Sequence, residues 1–195
     1  MASFSSERFR VYVIADLGRL PALEDLGPRP RVAIQLRDRE ASGAALFAAA
    51  RRLVEGGHRV YVNDRLDVAL AAGCEGVHLG GGSLTVAEAR TLGDGALRVG
   101  CSTHSVAEVA AAREQGADFC ALSPIFATPG KGPPVGLETL REASGLGLPV
   151  YALGGVDGGN AAACLAAGAH GVAAIRAGLE LAQALALTWG GSRAR

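Results

Sequence analysis

Short runs of apolar residues alternate along this chain with longer stretches in which alanine and leucine recur every three or four positions. The runs RVYVIAD, VAIQLR, RVYVN, GVHL, RVGCS, FCALS, VYAL and GVAAI are four to seven residues long and rich in β-branched and aromatic residues, the pattern of buried strands. Between them, SGAALFAAARRLVEGG, SVAEVAAAREQG and NAAACLAAG are amphipathic, open on Ser or Asn and close on Gly, which predicts helices capped at both ends. Strands separated by helices run parallel, so eight such units predict an α/β fold, a closed (β/α)8 TIM barrel, with an open doubly wound sheet as the alternative. The segments GCEGVH, GADFC and GAHGV repeat one device, a helix end feeding the next strand. Only LGRLPALEDLGPRPR separates the first two strands, and its prolines leave room for one or two helical turns, so the first helix is expected to be shortened or missing.

Composition narrows the class. With 195 residues and 49% hydrophobic content, the chain is expected to fold as a single domain over 1–195. Its polar or Gly-rich ends, 1–8 and 189–195, are expected to fray. Nineteen basic and nineteen acidic residues cancel without any run of one sign, which disfavours nucleic acid and anionic membranes and favours small-molecule partners. No apolar stretch approaches the roughly 20 residues that span a bilayer, and MASFSSERFR lacks a signal-peptide core, so the expected location is the cytoplasm. Cys74, Cys101, Cys120 and Cys164 show no C-x-x-C spacing and the histidines no ligand spacing, so neither a disulfide framework nor a structural metal is expected.

A barrel of this kind builds its active site at the carboxyl ends of its strands, and that rule selects a compact set of polar residues. Gln35, Arg37 and Arg39 end the second strand, Asn63 and Asp64 the third, and Ser102 the fifth, while Thr128 and Lys131 lie in the loop after the sixth. Gln35 and Arg37 share a strand face, where the cation calls for a bound phosphate or an internal pair with Asp38 or Asp64. Asp64 suits either a Mg2+ ion or the N-cap of the following helix. The loop SPIFATPGKGPPVG is long enough to be a lid over a pyrophosphate, with Lys131 either engaged there or simply solvated. Gly154-Gly155 and Arg176 end the seventh and eighth strands, where barrels build phosphate sites from backbone N–H groups. The competing readings are a tight turn for the glycines and an Asp157 partner for Arg176.

The ordered set IQLRDRE, VNDRLDVALAAGCEGVHLG, RVGCSTHS, GADFCALSPIFATPGKG and VYALGGV resembles the thiamine phosphate synthase/TenI family over nearly the whole chain. The resemblance implies an enzyme of thiamine biosynthesis that joins hydroxymethylpyrimidine pyrophosphate to thiazole phosphate with Mg2+. Pyrophosphate departs, and the thiazole nitrogen captures the resulting pyrimidine cation. It also implies small phosphorylated substrates and a homodimer. Carried over by position, Gln35, Arg37 and Asn63 hold the pyrimidine pyrophosphate, Asp64 the metal, Ser102, Thr128 and Lys131 the leaving group, and Gly155 the thiazole phosphate. Arg39, Gly154 and Arg176 join them as substrate-binding candidates from their place on the rim, and Ser102, Lys131 and Arg37 are the residues expected to carry catalysis. Departures from the pattern matter as well. Synthases usually carry H-L-G-Q-x-D with a second metal-binding Asp, whereas this chain has Gly81, Gly82 and Ser83, the last also placed to cap the next helix. Gly130 replaces a hydroxyl, Arg39 a Lys and Arg176 a Ser. These changes resemble the TenI-like branch, a thiazole phosphate tautomerase or a non-catalytic binder, yet Pro124 stands where that tautomerase has its His. His104 and Cys101 are the remaining candidates for proton transfer, His104 more naturally as a support of the loop.

Overall fold

The computed structural model describes residues 8–189. Its strands are β1 (Val11–Ala15), β2 (Val32–Leu36), β3 (Arg59–Asn63), β4 (Gly76–Leu79), β5 (Arg98–Thr103), β6 (Phe119–Leu122), β7 (Val150–Ala152) and β8 (Gly171–Ala174). The helices are α1 (Leu20–Leu26), α2 (Gly43–Glu55), α3 (Leu66–Ala72), α4 (Val86–Leu92), α5 (Val106–Glu114), α6 (Gly136–Ser144), α7 (Ala161–Ala166) and α8 (Gly178–Trp189). All neighbouring strands are parallel, and β1 pairs with β2 on one side and with β8 on the other, Val11 opposite Val32 and Val172. That second pairing closes the barrel and excludes the open sheet.

Each strand is buried on both faces, which is why the strands read as unbroken apolar runs rather than alternating ones. Outward-facing residues such as Val11, Val13, Ile34 and Leu36 pack on the helices, whose inner faces α2 represents with Leu46, Ala49, Ala50 and Leu53. Inward-facing Tyr12, Tyr61, Phe119 and Tyr151, with Phe9 from the N-terminal side, fill the barrel with edge-on and stacked rings. Beneath them the buried Arg59 guanidinium donates to Glu75 at 2.6 and 2.7 Å, and the Tyr61 hydroxyl donates to the same carboxylate at 2.9 Å. A buried ion pair whose members are both hydrogen-bonded this fully tolerates its desolvation, and it closes the floor. A cleft lies at the opposite end.

Between β1 and β2 the chain makes a 3₁₀ turn, Leu17–Arg19, and then the seven-residue α1 with Pro21 in its first turn, so the first helix is short but present. Ser42 and Ser105 cap α2 and α5 through their side chains, as the pattern predicts. Asn160 holds the N-cap position of α7, but its side chain makes no cap bond. Its amide donates to the Gly155 carbonyl at 2.8 Å and its Oδ1 accepts from the Asp157 N–H at 3.0 Å, so it ties the β7–α7 loop together instead. Ser83 is not a cap either, because Thr85 takes that place in a reciprocal capping box with Glu88. The frayed ends expected for 1–8 and 189–195 lie outside the described residues except for Arg8, which donates to the Asp118 carbonyl, and Trp189, which ends α8. No described helix is long and apolar enough to cross a membrane.

Candidate active site

At the carboxyl ends of the strands lies a cleft of about 470 Å³, lined by Gln35, Arg37, Arg39, Asn63, Asp64, Ser102, Thr128, Lys131 and Gly154. A second compartment of about 280 Å³ is lined by Gly154, Gly155, Asp157, Arg176 and Ala177. The two share Thr128, Leu153, Gly154 and Ile175 as a common wall. Gln35, Arg37, Arg39, Asn63, Asp64, Ser102, Thr128, Lys131, Gly154, Gly155 and Arg176 therefore all line these two adjoining compartments. The main cleft sets three cations, Arg37, Arg39 and Lys131, against one carboxylate, Asp64. A chain with zero net charge thus concentrates positive charge where an anion would bind.

The local bonds decide between the competing roles. Asp38 accepts N–H bonds from Leu17, Glu40 and Ala41, which hold its carboxyl below the usual range and commit it to the turn after β2. Asp64 Oδ1 accepts from the Gly80 N–H at 2.7 Å and Oδ2 from the Asn63 amide at 2.6 Å. Among the described residues Arg37 has no ion pair, so neither internal partner takes it. Asp64 does not cap α3: Arg65 holds the N-cap position, and the Asp64 backbone sits at φ 58°. Asp and Asn tolerate that left-handed conformation better than other side chains, which suits a carboxylate aimed across the cleft mouth.

The lid loop turns on Thr128-Pro129-Gly130-Lys131, where the Lys131 N–H donates to the Thr128 carbonyl at 3.1 Å and Gly130 has φ 75°. Pro followed by a positive-φ Gly is the residue pattern of a type II turn, so the turn itself explains why Gly130 replaces a hydroxyl. Lys131 is exposed and unpaired among the described residues. The loop is clipped to β7 by Ile125 N–H to the Leu153 carbonyl at 2.9 Å and Phe126 N–H to the Gly154 carbonyl at 3.0 Å. Gly154 and Gly155 have φ 92° and 66°, and a Cβ on Gly154 would lie 2.7 Å from Pro124 Cα. The glycines serve a tight turn and a close backbone approach together.

In the second compartment the N–H groups of Gly155, Arg176 and Ala177 donate to no other described residue. These residues line the compartment, and Arg176 and Ala177 immediately precede α8, whose dipole favours an anion. Arg176 is exposed and makes no pair with Asp157, whose Oδ1 instead accepts from the Gly159 N–H at 2.8 Å.

One buried residue of the cleft escapes sequence reasoning. His78 lies in register with Asn63, its Nε2 3.1 Å from Ser102 Oγ and its Nδ1 3.5 Å from the Tyr12 hydroxyl, which in turn accepts from the Gln35 amide at 3.2 Å. Desolvation first, helped by nearby Arg37 and opposed by Asp64, pushes its pKa down to about 4, so the ring is neutral at physiological pH. Strand pairing is the signal that finds it, since Asn63 was already marked. His104 donates from Nδ1 to the Ser123 carbonyl at 2.7 Å and its N–H donates to Glu108, the loop-supporting role. Burial pushes the Cys101 thiol up to about 12, and all four cysteines are buried and free. Ser83 lines a groove between α4 and α5 that adjoins the cleft through Gly80, Gly81 and Ser102, and is not among the residues lining the cleft itself. Among the described residues no group of three His, Cys, Asp or Glu stands ready for a metal, which leaves the Asp64 carboxylate as the candidate ligand.

The chain is 47% identical over 152 residues to the thiamine-phosphate synthase of Methanoculleus marisnigri, covering 74% of this chain and 72% of that protein. It is 43% identical over 151 residues to the thiamine-phosphate synthase of Gloeobacter violaceus, covering 74% of this chain and 44% of that longer protein. Among solved structures, thiamine phosphate pyrophosphorylase from Pyrococcus furiosus superposes with a TM-score of 0.80 at 28% identity, over 92% of this chain and 94% of that one. The family model described as thiamine monophosphate synthase matches residues 23–177, nearly all of the barrel, and the chain belongs to that family.

Proposed function

We propose that this chain is a thiamine phosphate synthase, joining hydroxymethylpyrimidine pyrophosphate to thiazole phosphate with release of pyrophosphate. The observation that carries the reading is the pair of adjoining compartments: a cation-rich cleft, and a smaller cradle of free amides, separated only by a shared wall. Two anionic substrates seated there present their reacting ends to one another across Thr128 and Gly154. Holding them so supplies much of the advantage of an intramolecular reaction.

In this assignment Gln35, Arg37, Arg39 and Asn63 orient the pyrimidine pyrophosphate, and Ser102, Thr128 and Lys131 meet the leaving group. The methylene carbon–oxygen bond breaks and its electron pair departs with pyrophosphate. The thiazole nitrogen then gives its own pair to the pyrimidine methylene, forming the carbon–nitrogen bond. Donors and cations aimed at the departing oxygens stabilise charge as it develops, which is the main protein contribution to such a step. Ile14, Leu153 and Ile175 offer the rings apolar contact and exclude water from the cation. Gly155, Arg176 and Ala177 hold the thiazole phosphate.

Asp64 fits a Mg2+ ion. Its two oxygens are fixed by Gly80 and Asn63, each has capacity for a further ligand, and the residue lines the cleft; this ion commonly takes one or two carboxylates with waters and substrate phosphates. When bound, the ion neutralises charge on the pyrophosphate. A proton-transfer role of the TenI kind is less well supported, because Pro124 offers no acid or base and Cys101 stays protonated. The four free cysteines suit a reducing compartment, and we place the enzyme in the cytoplasm. Assembly as a homodimer rests on family resemblance and is read from its mass in solution. The deciding experiment incubates purified protein with both substrates and Mg2+ and measures thiamine phosphate by its fluorescent oxidation product. Folded protein that forms none overturns the assignment.

A further inference from the structure

Beneath the cleft Gln35, Tyr12, His78 and Ser102 lie within hydrogen-bond reach of one another in turn. Gln35 Nε2 donates to the Tyr12 hydroxyl at 3.2 Å, which leaves the Tyr12 hydrogen for His78 Nδ1, 3.5 Å away. A ring nitrogen that accepts at Nδ1 carries its hydrogen at Nε2, and Nε2 faces Ser102 Oγ at 3.1 Å. Ser102 Oγ then accepts from the ring, and its own hydrogen is free for an acceptor in the cleft it lines. Reversed, the same chain would send the Ser102 hydrogen to the ring and turn only lone pairs toward an incoming anion.

From this geometry we infer that Gln35, Tyr12 and His78 form a directional chain that positions Ser102 as a hydrogen-bond donor to the pyrophosphate. The inference rests on the synthase reading for the identity of the anion, but the direction of the chain does not. Tyr12 and His78 are positioning residues, acting through Ser102. Tyr12 is fully buried and His78 nearly so. The Tyr12–His78 contact is the longest of the three, as such bonds often are before the ligand arrives and tightens them.

A double-mutant cycle of Tyr12→Phe with Ser102→Ala tests this, because the Phe ring preserves the aromatic packing around Tyr61 and Phe119 while deleting the link. Tyr12→Phe alone is expected to lower kcat about tenfold, less than outright removal of an oxyanion donor, with little change in the KM for the pyrimidine pyrophosphate. In the Ser102→Ala background it should cost less than about twofold further, since the partner through which it acts is gone. Equal losses in both backgrounds mean that Tyr12 is merely structural and overturn the chain. The second measurement uses wild-type protein, so it survives a variant that fails to fold. Nitrogen-15 correlation spectra with inorganic pyrophosphate should show the His78 hydrogen on Nε2, and a hydrogen on Nδ1 overturns the inference. Should the protein make no thiamine phosphate at all, the synthase reading fails and the His78 tautomer alone decides the chain.

Discussion

Gly154→Ala puts the coupling between lid and phosphate cradle to a quantitative test. An alanine there must hold φ 92°, a conformation costing an L residue roughly 1–2 kcal/mol. Its Cβ would also lie 2.7 Å from Pro124 Cα and 2.8 Å from Pro124 Cβ, with Thr128 Oγ1 at 3.3 Å. Relaxed carbon contacts are about 3.5–4 Å, so the backbone of the lid or of the turn must move by nearly an ångström, an overpacking cost of about 1–3 kcal/mol. The two costs overlap where the backbone relaxes, giving an expected loss of about 3 kcal/mol in unfolding free energy. Function should suffer more than stability. The Phe126–Gly154 hydrogen bond clips the lid here, and a displaced lid carries Thr128 and Lys131 with it. A misplacement of about 1 Å at reacting groups costs on the order of 10²-fold, so kcat/KM should fall by about that much. Gly158→Ala, in the same loop, is the control: no atom lies within 4 Å of its Cβ and its φ is not left-handed. That change should be neutral or stabilise by up to about 1 kcal/mol through the unfolded chain. Urea unfolding and steady-state kinetics of both variants decide the matter. If Gly154→Ala matches Gly158→Ala within about 0.5 kcal/mol, the close approach is not what the position requires.

Asp64→Asn keeps a residue suited to positive φ, so it should fold normally yet lose the Mg2+ dependence and about 10²-fold or more in kcat/KM; retention of both would remove Asp64 as the metal ligand. Arg176→Ala should raise the KM for thiazole phosphate about tenfold and leave that for the pyrimidine pyrophosphate unchanged, and equal changes in both would contradict the division into two compartments. Stability should fall on mild acidification. The His78 pKa is near 4 in the folded protein against 6.5 unfolded, so the unfolded state binds the extra proton as pH drops below 6.5 and stability is lost progressively down to about 4. Between pH 6.5 and 5, above the range where carboxylates titrate, the expected loss from His78 is about 2 kcal/mol, with half-buried His170 adding a smaller amount of the same sign. An unfolding free energy that stays flat across that window would rule out a buried neutral His78.

What the linear pattern disclosed, and what it concealed, follows from the range of each interaction. Strands and helices declare themselves within a dozen residues, so VAIQLR and SGAALFAAARRLVEGG lie within a residue or two of β2 and α2. The rim residues followed from one further rule, that parallel barrels act at the carboxyl ends of their strands. Choices between partners were not legible, because they depend on atoms distant in sequence. Whether Arg37 is free turns on Asp38 being bound to Leu17, and Asp64 is oriented by Gly80, sixteen positions later. His78 read as one polar residue in an apolar strand, and a lone buried His is usually just packing. Its place opposite Asn63, beside Ser102 and beside a tyrosine that Gln35 already occupies, exists only once the five strands β1 to β5 are brought together in the barrel.

The glycines carry the same lesson in reverse. That GGV after the seventh strand makes a tight turn was legible, because a glycine pair after an apolar run is a local property. The clash that forbids a side chain there comes from Pro124, thirty residues earlier in the chain, and the bond that joins lid to cradle comes from the Phe126 N–H. One glycine therefore answers to two demands, an anion in front and the lid loop behind. A substitution that satisfies the first and violates the second should disable turnover while leaving inorganic phosphate bound in the cradle. For Gly154→Ala, calorimetry with phosphate should then show an affinity within about threefold of wild type beside the 10²-fold loss in kcat/KM. A parallel loss of both would mean that the turn, rather than the lid it carries, is what the glycine protects.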